Sequence, residues 1–362
     1  MRSNRLMVCM TWLNEMTGSE GWWQEQQQRG IPFIESHETG DCQVTFFWRD
    51  PHGTQSQSAI QRVWINITGV TDHHQSAAPV SLARVPDTDV WFWQTLLPAT
   101  WRGSYCLMPD AQPVAFQGQP DMQTLRNWWR DKFPTAQSDP LNRLRSWSGG
   151  RGMSVSPLHL PQSPNQDVWR ATDEGKAPML PLQHYIWRSE RLGNQRSIWI
   201  YTTHDAQPEN RPLALLLDGQ FWADTMPIAG PLQQLTDAGE LPPAVYVMID
   251  IIDREHRTRE LTCNPDFWLA IQEELLPQVQ QWAAHRRDAV NTVVAGQSFG
   301  GLSSVYATLR WPDTFGAAVA YRALSGGPSV AMPTAGYRNS YNKVYWPPRR
   351  AAFILKRASA SA

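Results

Sequence analysis

Residues 292–301 read TVVAGQSFGG, and no other stretch restricts the possible folds of this chain as tightly. Thr292-Val293-Val294-Ala295 is a short apolar run, Gly296-Gln297-Ser298-Phe299-Gly300 fits G-x-S-x-G, and a helical pattern follows. A serine flanked in this way sits on a sharp strand-to-helix turn, the nucleophile elbow of an α/β-hydrolase, with its hydroxyl exposed. In that fold the acid and the histidine come after the serine in chain order. Here no histidine follows His285, and no Asp or Glu follows Asp313. Ser298 is the expected nucleophile, and neither a triad acid nor a triad histidine is found beyond it.

Gly296 and Gly300 leave room for strand and helix to approach. The backbone N–H of Phe299 is one expected oxyanion donor. The second is expected after the LALLLD strand, at Gly219-Gln220, with Gly219 the leading position. A bare G-x-S-x-G arises by chance. The β-rich run before it, the Gly-Gly after it and Pro312 closing the helix favour a nucleophile over a plain turn. His256 lies in DREHRTREL, just beyond the AVYVMID strand and so at the carboxyl edge of the sheet, where ligands bind. To replace the missing base it must reach Ser298; a substrate-contact or surface role is favoured. Arg257 and Arg259 suit an anionic substrate, because guanidinium pairs carboxylate and catecholate oxygens in a fixed fork. Arg257 is taken as the substrate-binding residue, with an exposed charge run as the equal alternative. His73-His74 has no third ligand at suitable spacing, so a polar turn is expected there and no metal site.

Four alternating segments come early: QVTFFWR at 43–49, RVWINITG at 62–69, DVWFWQTLL at 89–97 and RGSYCLMP at 102–109. In the second, Val63, Ile65 and Ile67 share one face while Trp64, Asn66 and Thr68 share the other, the period of a half-buried strand. Turn-rich pieces between them point to a small antiparallel sandwich over 20–150. Residues 151–182 are proline-rich with little periodicity and read as a linker. RSIWIYTT, PLALLLDG and the continuous apolar run AVYVMID then alternate with helical patterns, as expected of a parallel α/β unit over 183–315. Asn264-Pro265-Asp266 reads as a helix start, and Phe267, Ile271 and Leu275 continue a helix that Pro277 should kink. The stretch 316–362 holds seven Lys plus Arg and no acid or histidine. It reads as an unrelated basic tail that leaves the sheet incomplete after the elbow strand.

Formal net charge is −1, which argues against nucleic acid as a partner. No apolar run approaches the ~18 residues of a membrane span. The four cysteines have no zinc or redox spacing and fit reduced thiols in a cytoplasmic protein. The basic N-terminus, MRSNRLMVCMTWLNE, has too short an apolar core for a signal peptide. Of nineteen Trp, eleven precede residue 150. Most are expected in the core, and some could line a pocket for a flat aromatic ligand.

Taken together, FWRDP at 47–51, RVWINITGVTDHH at 62–74, DVWFWQT at 89–95, TWRGSYC at 100–106, LLLDGQFWA at 215–223, PPAVYVMIDIID at 242–253, EELLP at 273–277 and AGQSFGGLS at 295–303 resemble the enterochelin (enterobactin) esterases. The resemblance covers roughly residues 20–315 and stops near Ala320. It implies an immunoglobulin-like all-β sandwich followed by an α/β-hydrolase domain. It also implies a serine esterase that cleaves the ester bonds of enterobactin, usually as the iron complex, so that iron is released in the cytoplasm. No cofactor is expected; the partner would be ferric enterobactin or a related catecholate siderophore. By position Ser298 matches the family nucleophile and Arg257 a basic residue near the substrate. The family's Gly-Gly-His-type segment and its upstream acid have no counterpart here, so impaired catalysis is expected. The alternatives are a non-catalytic ferric-catecholate binder and a related feruloyl-type carboxylesterase.

Overall fold

Alternation of apolar and polar residues is what builds the first sheet, because successive side chains of a strand point to opposite faces. The computed structural model describes residues 10–72, 77–113, 120–148, 153–177, 179–203 and 207–321. These fall into two compact units. One runs to Gln166 and includes Arg170–Lys176; the other holds Asp167–Trp169 and the chain from Ala177 onward.

The strands of the first unit are β1 (Phe33–Ser36), β2 (Asp41–Arg49), β3 (Arg62–Ile67), β4 (Val80–Arg84), β5 (Val90–Pro98), β6 (Arg102–Asp110), β7 (Trp147–Ser148) and β8 (Ser154–His159). They are ordered β1-β2-β5-β4-β3-β6-β8-β7, every neighbouring pair antiparallel. All four alternating segments are strands. Val44, Phe46 and Trp48 of β2 share one core with Val63, Ile65 and Ile67 of β3 and Tyr105 and Leu107 of β6. Two helices cover other apolar surface. In α1 (Glu20–Arg29) the Ser19 side chain accepts from Trp22 N, and Trp22 and Trp23 pack with Phe47 and Trp12. In α2 (Met122–Lys132) Asp121 caps Gln123 and Thr124, and Trp128 and Trp129 pack with Trp64. Eight of the early tryptophans, Trp12, Trp22, Trp23, Trp48, Trp64, Trp91, Trp128 and Trp129, are buried, so the core role is the main one.

The segment read as a linker is partly structured. Its β8 pairs with β6, from Arg102↔His159 to Tyr105↔Ser156, and α3 spans Asp167–Asp173. Pro157 was the misleading signal: within β8 it faces Ser104 and is accommodated in a strand.

The second unit is a mixed sheet, ordered β14-β13-β11-β12-β10-β9. Its strands are β9 (Gln183–Ser189), β10 (Asn194–Thr202), β11 (Leu213–Leu217), β12 (Val245–Ile249), β13 (Thr292–Gln297) and β14 (Ala317–Tyr321). The β12, β11, β13 and β14 pairings are parallel, whereas β9 and β10 join antiparallel at one edge, so the sheet is not wholly parallel. Leu213–Leu217 is buried throughout because both faces are covered. Leu213, Leu215 and Leu217 pack with Phe267, Trp268, Ile271, Leu275 and Val279, while Ala214 and Leu216 pack with Ala229 and Leu232. The covering helices are α4 (Ala229–Asp237), α5 (Arg254–Leu261), α6 (Pro265–Ala270), α7 (Leu276–Trp282) and α8 (Phe299–Arg310). Asn264 caps α6 through Asp266 N. The irregularity expected at Pro277 is a π-turn at Ile271–Leu275, with Pro277 in the first turn of α7, where its missing N–H costs little.

One expectation fails outright. The sheet does not end at the elbow strand, because Ala317–Tyr321 adds β14 in register from Val293↔Ala317 to Gln297↔Tyr321. Charge composition of the whole 316–362 stretch hid the five-residue run AAVAY at its start. Residues 322–362 lie outside the described residues.

Two titratable groups in the first unit, the buried Asp139 and the partly exposed His159, pull stability in opposite directions. Burial pushes the Asp139 carboxyl up to about 6, although Tyr105 Oη (2.6 Å) and Leu141 N (2.8 Å) donate to it. Burial, and then the Arg102 charge, push His159 down to about 4. Native Asp139 keeps a proton that the unfolded chain releases near pH ~4, so its share of stability is lost as pH rises from about 4 to 6. Native His159 refuses a proton that the unfolded chain takes up near pH ~6.5, so its share is lost as pH falls from there toward 4. Urea midpoints followed by tryptophan fluorescence at pH 4, 5 and 6 should therefore diverge between variants. Asp139→Asn should make stability climb more steeply with pH than in the unsubstituted chain, and His159→Gln should make it climb less or fall. Identical slopes in all three proteins would refute this assignment.

Candidate active site

Ser298 lies where β13 becomes α8, at φ 55 and ψ −118, a conformation L-residues adopt only when their surroundings impose it. The surroundings do so from several sides. Ser298 N donates to Tyr321 O of β14 at 2.9 Å, and Ser298 O accepts from Leu302 N at 3.0 Å. A Cβ on Gly296 would lie 2.4 Å from Gly300 C, so strand and helix cross closer than any side chain allows. Trp268 Nε1 donates to the buried Ser303 hydroxyl at 3.0 Å, fastening α8 to α6.

The expected oxyanion donors sit at the carboxyl ends of neighbouring strands. Phe299 N opens α8, and the first N–H groups of a helix lack partners within it. Gly219 follows β11 after Asp218, at the start of a helical turn in which Phe221 N donates to Asp218 O at 2.9 Å. A Cβ on Gly219 would lie 2.4 Å from Ile249 N, so this turn is pressed against β12. Among the described residues neither N–H has an acceptor. This is the state of a donor pair that can serve a developing oxyanion.

Arg257 of α5 faces the elbow. Its Nε donates to Asp218 Oδ1 at 2.5 Å, and its Nη2 donates to Asp218 Oδ2 at 3.0 Å and to Gln297 O at 3.2 Å. Its guanidinium carbon stands 5.7 Å from the centre of the Phe299 ring. The fork expected to hold substrate is thus already engaged by a carboxylate. Asp218 went unnoticed in the sequence because an acid after a buried strand is commonplace. The only available signal was its place immediately before the expected donor Gly219.

Three residues further along α5, Glu260 takes Arg196 of β10 in a second fork, at 2.7 and 2.9 Å, with both side chains 1–2 % exposed. Arg259 instead stays half exposed beside Glu255. His256 directs Nδ1 to both Asp253 oxygens, at 3.0 and 2.9 Å, and makes no hydrogen bond to Ser298. His285 is buried with Nδ1 on Ala283 O at 2.8 Å. Among the described residues no base is hydrogen-bonded to Ser298 Oγ. His73-His74 falls outside the described residues.

A strained serine between a buried strand and a helix, with N–H groups at the ends of two adjacent parallel strands that have no acceptor among the described residues, marks a serine hydrolase of the esterase class. The chain matches two family models, "Enterochelin esterase, N-terminal" over residues 43–169 and "Putative esterase" over residues 189–360. It therefore belongs to the enterochelin esterase family. The second match runs well past residue 315. An iron(III) enterobactin esterase of Escherichia coli is 53% identical over 300 residues, covering 83% of this chain and 73% of that protein. The crystal structure of ferric enterobactin esterase from Salmonella typhimurium superimposes with a TM-score of 0.78 at 51% identity, over 84% of this chain and 76% of that one. The enterobactin esterase of Shigella flexneri, crystallised in the presence of enterobactin, gives 0.72 at 52% identity, over 83% and 75%.

Steric ranking at the elbow is testable. The Cβ of Gly296→Ala would overlap backbone at 2.4 Å, whereas that of Gly300→Ala would meet the Asp218 Oδ2 atom at 3.2 Å and Leu217 Cβ at 3.5 Å. Gly296→Ala should cost about 3 kcal/mol or more and Gly300→Ala about 1 kcal/mol, since overpacking typically costs ~1–3 kcal/mol. Denaturant unfolding of the two variants should show this order; equal costs would contradict the close crossing.

Proposed function

We propose that this chain is a serine esterase that hydrolyses the ester bonds of enterobactin, free or iron-loaded, with Ser298 as nucleophile. The observation that carries the proposal is the strained Ser298 backbone at the end of β13, in a chain about half identical to iron(III) enterobactin esterases. The serine oxygen attacks the ester carbonyl, whose oxygen becomes an anion held by Phe299 N–H and Gly219 N–H. With the serine proton passing through solvent to the departing oxygen, the siderophore alcohol leaves, and water then releases the acyl group as a carboxylic acid and restores the Ser298 hydroxyl. Cleaving the trilactone separates its catecholate arms and weakens the hold on iron, which is cargo here.

The first unit is proposed as an immunoglobulin-like sandwich over 20–150. Support comes from the inward residues of β2 and β5 sharing one core with those of β3 and β6. The esterase unit is assigned from 183 onward, with β14 included. A cytoplasmic site of action is part of the same proposal; the thiols of Cys42, Cys106 and Cys263 are free, as in a reducing compartment. No helix among the described residues is long and apolar enough to cross a membrane.

Rate is a separate matter from chemistry. A serine hydroxyl stays protonated at neutral pH unless a base takes its proton, and losing a triad member costs about 10⁴- to 10⁶-fold in turnover. With no base on Ser298 Oγ among the described residues, we expect slow turnover. Tryptophan quenching by ferric enterobactin should report binding, and chromatography of released dihydroxybenzoylserine should give a rate near background that Ser298→Ala barely changes. Brisk hydrolysis abolished by Ser298→Ala would keep the esterase proposal and remove the impairment. Neither binding nor hydrolysis would remove the substrate assignment.

A further inference from the structure

Strands β11 and β13 run side by side, but their ladder ends at Leu216↔Ala295. The two expected oxyanion donors lie beyond that point, Gly219 on one chain segment and Phe299 on the other. Their separation sets how well they hold an oxyanion, because donors act only within hydrogen-bond reach of where that oxygen will be. Something other than the ladder must fix it.

Arg257 bridges this gap. Its fork on Asp218 grips the residue immediately before Gly219, and its Nη2 contact with Gln297 O grips the residue immediately before Ser298. The Phe299 ring beneath the guanidinium gives a third point of contact. Asp218 itself is held at φ 60, a left-handed conformation for a side-chain-bearing residue, and its side chain is 7 % exposed. Such backbone persists where contacts over-determine it. Gly300 passes so close that a Cβ there would sit 3.2 Å from Asp218 Oδ2, so both loops meet over one carboxylate. From behind, Glu260 on the same helix is locked to Arg196 of β10, which denies α5 the freedom to carry Arg257 away.

We infer that Arg257 and Asp218 form a clamp that fixes the spacing of the Gly219 and Phe299 N–H groups, making Arg257 a positioning residue and not a substrate ligand. The inference rests on the proposed roles of Ser298 and the two donors. An anionic substrate seeking this fork would have to displace it from a buried carboxylate and leave that charge unpaired, which is unfavourable.

The test uses the full chain with Arg257→Lys, Asp218→Asn and the double variant, and three measurements. Amide hydrogen exchange in peptides spanning 217–221 and 296–300 should speed at least tenfold in each single variant, while β10 and β12 stay protected. The rate at which a fluorophosphonate labels Ser298, read by intact mass, should fall at least tenfold, and the double variant should be no worse than the more damaging single one. The dissociation constant for ferric enterobactin, read by tryptophan quenching, should stay within twofold. Unchanged exchange with tenfold weaker binding would overturn the inference and make Arg257 a substrate contact. If Asp218→Asn unfolds the chain, Arg257→Lys keeps the charge, loses the fork and reads the same quantities. If the unsubstituted chain fails to bind ferric enterobactin, the proposed substrate falls while exchange and labelling still judge the clamp.

Discussion

The backbone of Ser298 is the constraint around which the second unit is arranged. Holding a serine at positive φ is unfavourable by ~1–3 kcal/mol, so the conformation exists only because its neighbours leave no alternative. Gly296 and Gly300 admit the close crossing of β13 and α8, Tyr321 O receives the serine N–H, and Leu302 N closes the first turn of the helix. Each is useless without the others. The glycines allow the turn without directing it, and the β14 carbonyl directs it only if that strand is in register.

That register in turn depends on a core filled on both faces. Because Leu213–Leu217 is buried front and back, β11 has little freedom to slide, and β12 and β13 are set against it as parallel neighbours. Parallel alignment brings the carboxyl ends of three strands to one edge. Asp218, the start of α5 and the elbow all lie at that edge. The two forks of α5, to Asp218 and to Arg196, then connect the site to both the centre and the antiparallel side of the sheet. A buried ion pair gives modest net stability, yet losing one partner is costly, so such pairs act more as geometric pins than as sources of stability.

Where sequence reasoning missed, it did so for identifiable reasons. Period-two patterning found β2, β3, β5 and β6, but a proline inside β8 and proline density around it turned a paired strand into a supposed linker. Averaging charge over 316–362 concealed AAVAY, whose small apolar residues suit a strand packed against the elbow. Arg257 was singled out for the geometry of its fork, and a fork is indeed what it makes. Its partner is a carboxylate some forty residues earlier in the chain, and no local pattern records such a pairing.

Sequence alone determined the elements that depend on neighbours along the chain. The elbow was legible because its glycines and its serine must be adjacent, the cap at Asn264 because capping acts over two or three residues, and the buried strands because a run of five apolar residues has nowhere else to go. Tertiary structure decided what depends on distance in space. It made the sheet mixed instead of wholly parallel, continued it past the elbow, and turned His256 toward Asp253. It also spent the Arg257 fork on Asp218. The physical reason is that hydrogen bonds and ion pairs are short-ranged and indifferent to sequence separation, so only the packed chain settles which donor meets which acceptor.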